Sequence, residues 1–233
     1  MSNIAVITAG GVGSRMHQDI PKQFLNVHDK PIIIYTLEKF QKHPNIQEIY
    51  IAVLEGWENV LFAYAQQFGI SKLKRIVLGG KTGQESIYNC LKAISEDHVI
   101  TTDLVVTIHD GNRPMVNQDV ITDNLVKQKI YGNAVAVIPT TEVVFLSENG
   151  NSSSQSFDRE KMWRTQTPHS YFFDELWEIH NKAISDGVAN MAASCALMEK
   201  YGRKTFFSKG SEKNIKITTT EDLEIFKAMM ENI

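Results

Sequence analysis

Two cysteines in 233 residues, with no Cys-x-x-Cys pair, leave this chain without a disulfide framework, a zinc ligand set or a dithiol redox motif. Cys90 and Cys195 each lie in an apolar stretch with helical spacing, which reads as core thiols of a reducing compartment. Basic charge is also in short supply. Lys and Arg number 24 against 27 Asp and Glu, a net charge of −3. A surface that tracks nucleic acid needs a basic excess, so no nucleic-acid partner is expected, and a small anion gripped by a few placed cations fits better. No apolar run approaches the roughly 20 residues of a membrane span, and the chain opens almost directly on a strand. Neither a membrane partner nor a secretory leader is expected, which implies a cytoplasmic location. What remains is ordinary globular composition, read as a single domain over residues 1–233.

What the chain has in place of these features is a glycine-rich loop. Asn3 to Thr8 reads as a short apolar strand, and it runs into Ala9-Gly10-Gly11-Val12-Gly13-Ser14-Arg15-Met16, followed by Pro21-Lys22. Glycines let backbone N–H groups approach phosphate oxygens, and Arg15 with Lys22 adds charge that backbone dipoles cannot supply. The run departs from a dinucleotide fingerprint, because a methionine stands at the third glycine position, and no Walker A loop follows a strand. The plain alternative is a tight strand-to-helix turn with solvated charges.

Further along, β-branched runs alternate with helical patterns. Strands are expected at Ile4–Thr8, Glu48–Val53, Arg75–Leu78, Leu104–His109 and Ala134–Pro139. Helices are expected at Pro31–Lys42, Glu58–Phe68, Gln84–Ile94 and Asp119–Lys129, the last with an apolar stripe of Val120, Ile121, Leu125 and Val126. This spacing predicts an α/β fold: a Rossmann-like, mostly parallel sheet with helices on both faces. Ligands of such sheets bind outside the carboxyl ends of the strands, a rim that would hold Gly10–Arg15, Gly79–Gly80 and His109–Arg113. After Pro139 the pattern changes. Residues 141–158 read as a protruding β-hairpin arm turning at Asn149-Gly150. An isolated hairpin is marginal in water, so a second copy of the chain is the simplest thing for it to pack on. Helices at Phe173–Ser185 and Met191–Lys200, short strands at Thr205–Ser208 and Ile215–Thr218, and a helix at Glu221–Met230 with Thr220 as N-cap complete the expectation.

Several residues at these positions can carry chemistry. Asp110, at a strand's carboxyl end, suits a divalent metal bridging phosphates, or equally a turn cap. Arg113, locked before Pro114, could orient an anionic substrate or simply pair with Asp110. Gly80 and Ser86 could read the edge of a base, although a helix-capping serine explains Ser86 as well. Lys216 alternates with Ile215 and Ile217 and so faces away from them. Thr167 could donate to a substrate phosphate, with Arg159 nearby, and His169 is a lone histidine. The strand ends suggest no Ser-His-Asp or Cys-His set, so a covalent intermediate is not favoured.

Taken together, AGGVGSRM, PKQF, LGG…S, HDGNRP, FDR…TP and NIKITTTEDL resemble the CTP-dependent polyol-phosphate cytidylyltransferases, over Ile4 to about Met230. The resemblance implies transfer of a cytidylyl group from CTP to a polyol phosphate with release of pyrophosphate, Mg²⁺ as cofactor, and a homodimer formed through the arm. It implies catalytic roles for Arg15, Lys22 and Lys216. Ala9, Gly10, Gly11, Gly13, Gly80, Ser86 and Asp110 would hold the nucleotide, Asp110 also the metal, and Arg113, Arg159 and Thr167 the acceptor. Departures from the isoprenoid branch cluster on the acceptor side: Thr140-Thr141-Glu142-Val143 for V-R-D-T, Thr167-Pro168-His169 for T-P-Q, Asp110-Gly111-Asn112-Arg113-Pro114 for D-A-A-R-P, and Ala192-Ala193 for a Thr-Asp pair. The expected product is therefore a CDP-alditol for cell-wall or capsular polysaccharide. The methylerythritol-phosphate enzyme of isoprenoid synthesis and a non-catalytic CTP-binding protein stand as alternatives.

Overall fold

The computed structural model describes residues 2–11 and 20–231. In chain order, β1 (Asn3–Ala9) is followed by a small ladder of β2 (Asn26–Val27) with β3 (Lys30–Pro31), then α1 (Ile32–Lys42), β4 (Glu48–Val53), α2 (Glu58–Gln67), β5 (Leu73–Leu78), α3 (Gly83–Asp97), β6 (Val105–Asp110), α4 (Gln118–Tyr131) and β7 (Asn133–Pro139). The arm is β8 (Val144–Leu146) paired with β9 (Gln155–Phe157). After it come β10 (Trp163–Phe172), α5 (Phe173–Ser185), α6 (Ser194–Lys200), β11 (Phe207–Lys209) and α7 (Thr220–Met230).

Seven strands form the central sheet in the order β11-β7-β10-β6-β1-β4-β5. Along β1, Ile4, Ala5, Val6 and Ile7 are all buried, the unbroken apolar run a strand needs when helices cover both faces. Ile4 and Val6 join Ile87 and Leu91 of α3 and Leu176 of α5. Ala5 and Ile7 join Ile34 of α1, Leu61 of α2 and Ile121 of α4 on the other face. The expected helix stripe on α4 holds except at Val126, which is exposed. Among the described residues, no helix is long and apolar enough to cross a membrane.

Strands β4 and β5 lie on one side of β1, and the chain then crosses back to pair β6 on the other, every pairing parallel. That reversal opens a crevice between the carboxyl ends of β1 and β6.

Three elements differ from expectation. Strand β10 is ten residues long and runs antiparallel between β6 and β7. Its central residues are mostly polar, and Pro168 inside a run argues against a strand. The structure accommodates the proline at a register shift between Thr165 and His169, and it pairs the buried Ser170, whose Oγ donates to Asn124 Oδ1 at 2.6 Å. Residues 215–218 form no ladder. They carry no regular structure and are tied down just past the end of β6, because Ile217 N–H donates to the Asn112 carbonyl at 2.9 Å. The last helix is capped by Thr219, not Thr220: Thr219 and Asp222 form a reciprocal capping box.

Candidate active site

The crevice is built on glycines that need one another. A Cβ on Gly10 would stand 3.2 Å from the Gly79 Cα, and one on Gly79 would stand 3.0 Å from the Gly10 Cα. The loops after β1 and β5 thus pack backbone on backbone, a second reason for glycine beside approach to a phosphate. Gln23, buried in the 3-10 turn Lys22–Phe24, holds the first loop by donating from Nε2 to the carbonyls of Ala9 (2.7 Å) and Gly11 (3.2 Å). Gly13 and Arg15 lie outside the described residues.

The second loop is shaped by a hydroxyl. The N-cap of α3 is Thr82, which accepts the Glu85 N–H, so Ser86 is not the cap. Instead Ser86 Oγ accepts the Gly80 N–H (3.0 Å) and donates to the Thr82 carbonyl (3.0 Å), curling Gly80–Thr82 over the crevice.

Asp110 is the electrostatic centre. Its Oδ2 receives Arg113 Nε–H at 2.9 Å, its Oδ1 the Lys216 ammonium at 3.0 Å, and its own N–H donates to Thr167 Oγ1 at 3.0 Å. Burial pushes the Asp110 carboxyl up, but Lys216 and Arg113 together outweigh it and hold the group well below the usual carboxylate range. Asp110 is therefore an anion at neutral pH, clasped by two cations. Arg113 forms the ion pair that sequence reading offered as one of its two roles.

Lys216 reaches this point from 106 residues away because two asparagines hold its segment down. Asn112 exchanges backbone and side-chain bonds with Ile217, and the buried Ile217 side chain turns Lys216 outward. Asn214 donates from Nδ2 to the Thr167 carbonyl (2.8 Å), and its own carbonyl accepts Arg113 Nη1 (2.7 Å).

Two cavities open on either side of this centre and share Thr8, Gly83, Asp110 and Lys216. One, of about 290 Å³, is lined by Ala9, Gly10, Gly11, Lys22, Gly80 and Ser86. Every described residue that sequence reading assigned to the nucleotide is gathered there. The other, of about 210 Å³, is lined by Arg113, Thr167, His169, His180 and Met191–Ser194. Arg159 lines neither. It sits in the 3-10 turn Arg159–Lys161 at the base of the arm, with Nη1 near the Thr141 carbonyl. Asp110 is the one acidic residue lining either cavity among the described residues, where no cluster of three or more His, Cys, Asp and Glu could hold a metal by itself.

Sequence reading missed Gln23, Gln84, Asn214 and His180. Gln84, in the first turn of α3, donates to the Val188 carbonyl (2.9 Å) and accepts the Met191 N–H (3.0 Å), pinning the loop that closes the second cavity. His180 stands buried on α5 with nothing in its local sequence to distinguish it from a core residue. Burial pushes both His169 and His180 down to about 4, so both rings are neutral at pH 7.

The family model described as IspD, 2-C-methyl-D-erythritol 4-phosphate cytidylyltransferase, matches residues 3–232. A ribitol-5-phosphate cytidylyltransferase from Lacticaseibacillus paracasei is 42% identical over 228 residues, covering 97% of each chain. A 2-C-methyl-D-erythritol 4-phosphate cytidylyltransferase from Clostridium novyi is 34% identical, covering 99% of this chain and 97% of its own. Among solved structures, the 2-C-methyl-D-erythritol 4-phosphate cytidylyltransferase of Francisella tularensis superposes with a TM-score of 0.82 at 28% identity, over 98% of this chain and 99% of that one.

Proposed function

The chain belongs to the 2-C-methyl-D-erythritol 4-phosphate cytidylyltransferase family, and we propose that within it this chain is a ribitol-5-phosphate cytidylyltransferase. The higher identity to the ribitol-phosphate enzyme than to the methylerythritol-phosphate enzyme supports that acceptor. The reaction joins CTP and ribitol 5-phosphate: an acceptor phosphate oxygen bonds to the α-phosphorus, the α–β bridging bond breaks, and pyrophosphate departs with that oxygen. The product, a CDP-alditol, would serve cytoplasmic assembly of cell-wall or capsular polysaccharide.

The observation that carries this reading is the position of the Asp110–Lys216 pair on the boundary of two cavities. Triphosphate in one and acceptor phosphate in the other would meet at that boundary. Lys22 and Lys216, with Arg15, neutralise the charge that gathers on the reacting phosphates, and the loop glycines and Gly80 admit the nucleotide. Arg113 and Thr167 receive the acceptor phosphate. That phosphate is already largely ionised at pH 7, its second pKa being about 6, so the site needs no general base, and catalysis is positioning plus charge neutralisation. Arg159 lies outside the cavities of its own protomer. It would reach an acceptor from the arm of a second copy, whose contact would also cover the exposed Phe145, Leu146 and Phe157.

Asp110 would hold Mg²⁺. One carboxylate suffices for this ion when substrate phosphates supply further oxygens, so the residues fit. Bound there, Mg²⁺ supplies charge neutralisation on phosphate oxygens. Lys216 is 43% exposed against 12% for Arg113, so it is the cation able to leave the carboxylate for a phosphate.

The test is pyrophosphate release from CTP with ribitol 5-phosphate, 2-C-methylerythritol 4-phosphate and other polyol phosphates. Ribitol 5-phosphate is expected to react at least tenfold faster in kcat/KM than the others. Reaction of methylerythritol phosphate alone would overturn the acceptor, and CTP binding without turnover on any of them would overturn the activity.

A further inference from the structure

We propose that the Thr8 hydroxyl donates a hydrogen bond to a non-bridging oxygen of the CTP α-phosphate as the acceptor attacks, which makes Thr8 a further catalytic residue of this site. The proposal rests on the activity reading above and adds to it a neutral donor at the point where the two substrates meet.

Four of the described residues line both cavities: Thr8, Gly83, Asp110 and Lys216. Glycine offers no side chain, and Asp110 and Lys216 are already bonded to each other at 3.0 Å. Thr8 is the remaining one, and sequence reading ended the first strand on it without giving its hydroxyl a role. A group that borders both cavities stands beside the atoms exchanged between them. On the reading above, the α-phosphorus sits there, bonded first to the leaving pyrophosphate oxygen and then to the acceptor oxygen.

The direction of the side chain follows from strand alternation. Ile4 and Val6 of β1 pack with Ile87 and Leu91 of α3, and Thr8 continues that series, so its side chain points to the same face, where Ile87 lines the second cavity. Strand β1 runs between β4 and β6, and the Thr8 carbonyl accepts the Gly111 N–H at 2.9 Å, so the part of this half-buried residue that reaches the cavities is its side chain. Oγ1 makes one bond, to the His109 carbonyl at 3.5 Å, beyond the roughly 2.5–3.0 Å usual for a hydroxyl donor. The donor is therefore close to unspent. Arg113 and Lys216, in contrast, are both drawn onto the Asp110 carboxylate. A hydroxyl carries no charge, so it can stand next to Asp110, its partner in the β1–β6 register, and still turn to a phosphate oxygen. A donor whose bond to the reacting phosphoryl oxygen strengthens in the transition state lowers the barrier, where one that only binds the ground state does not.

The experiment compares Thr8→Val, which keeps the shape and branching of the side chain, with Thr8→Ser, which keeps the hydroxyl. Turnover and both KM values are measured with CTP and with the two diastereomers of its α-thio analogue, in each of which sulfur replaces one non-bridging oxygen and accepts hydrogen bonds poorly. Thr8→Val is expected to lower kcat roughly tenfold to a hundredfold, with KM for CTP and for the acceptor within about twofold and the melting temperature near wild type, and Thr8→Ser to recover most of the loss. For one diastereomer the cost of sulfur should largely vanish in Thr8→Val, because the protein and substrate changes remove the same bond. Wild-type kcat in Thr8→Val, a loss confined to KM, no recovery in Thr8→Ser, or sulfur costs unchanged in both diastereomers would overturn the donor. Should the valine variant fail to fold, Thr8→Ala gives the same comparison at this strand end. A wild-type protein inert toward every polyol phosphate would instead overturn the activity reading beneath the proposal.

Discussion

Lowering the pH from 7 to 5 is expected to remove roughly 5 kcal/mol of folding stability, because three of the four buried histidines are held neutral far below their ordinary value and the fourth, His43, is pushed in the same direction by burial. Burial pushes His109 down to about 3 and His169 and His180 to about 4, from an ordinary value of 6.5. Around His109 and His169 the Asp110 carboxylate works against this, while Arg113 adds to it. The folded-state value is depressed, so between pH 6.5 and 4 the unfolded chain binds protons that the folded chain does not. Stability is therefore intact above about 6.5 and lost as pH falls. Each histidine contributes a slope approaching 1.4 kcal/mol per pH unit, so the three together approach about 4. A domain of this kind has only about 5–15 kcal/mol in total. Asp110 acts in the same direction in a lower window. Its depressed carboxyl stabilises the fold above the ordinary carboxylate value, and that share is lost only as pH falls below it. Urea denaturation at pH 7, 6 and 5 measures the effect, and His169→Gln and His180→Gln should each flatten the pH slope by about a third, whatever they do to stability at pH 7. Equal unfolding free energies at pH 7 and 5, within about 1 kcal/mol, would refute the claim that these rings are buried and neutral.

Lys216→Met should lower kcat by about 10²–10³ and also cost about 1–3 kcal/mol of stability, because it leaves the buried Asp110 carboxylate with one cation in place of two; turnover and a thermal melt measured side by side check both. Gln84→Leu should raise KM for the acceptor several-fold and leave KM for CTP unchanged, because the two bonds it removes tie down Val188 and Met191, and Met191 begins the Met191–Ser194 lining of the second cavity; steady-state kinetics with each substrate varied in turn decides it. Gly79→Ala should cost about 1–3 kcal/mol and weaken CTP binding, as its methyl would meet the Gly10 Cα at 3.0 Å and the Val53 carbonyl at 3.1 Å; calorimetric titration and denaturation read the two effects.

Strands β1, β4, β6 and β7 and the helices between them were legible in the sequence because burial on both faces writes itself as continuous apolar runs separated by amphipathic turns, while the edge strand β5, only partly buried, was marked by its β-branched Ile76-Val77. Strand β10 was not legible. Its buried Ser170 is paired with Asn124 of α4 and Thr107 of β6, partners far away in sequence, and several of its other buried positions are polar, so it carries no local apolar period. The arm was legible in its β-prone segments and serine-rich tip. In the structure the tip is organised by Asn149 Oδ1, which accepts the N–H groups of Asn151 and Ser152, and by Gly150 with φ +72.

At the site, residue type and strand-end position marked Gly10, Lys22, Gly80, Asp110 and Arg113, and the NIK segment marked Lys216. Those are properties of short stretches of chain, and the sequence alone determined them, together with the layered α/β architecture that follows from apolar periodicity. Only the tertiary structure decided that Lys216 meets Asp110, that Gly10 and Gly79 need each other, and that Gln84, Asn214 and His180 belong to the site. The reason is physical: a hydrogen bond, an ion pair or a cavity wall is a relation between groups brought together by the packing of the sheet and its helices. Nothing in the stretch of chain around one partner carries the identity of the other.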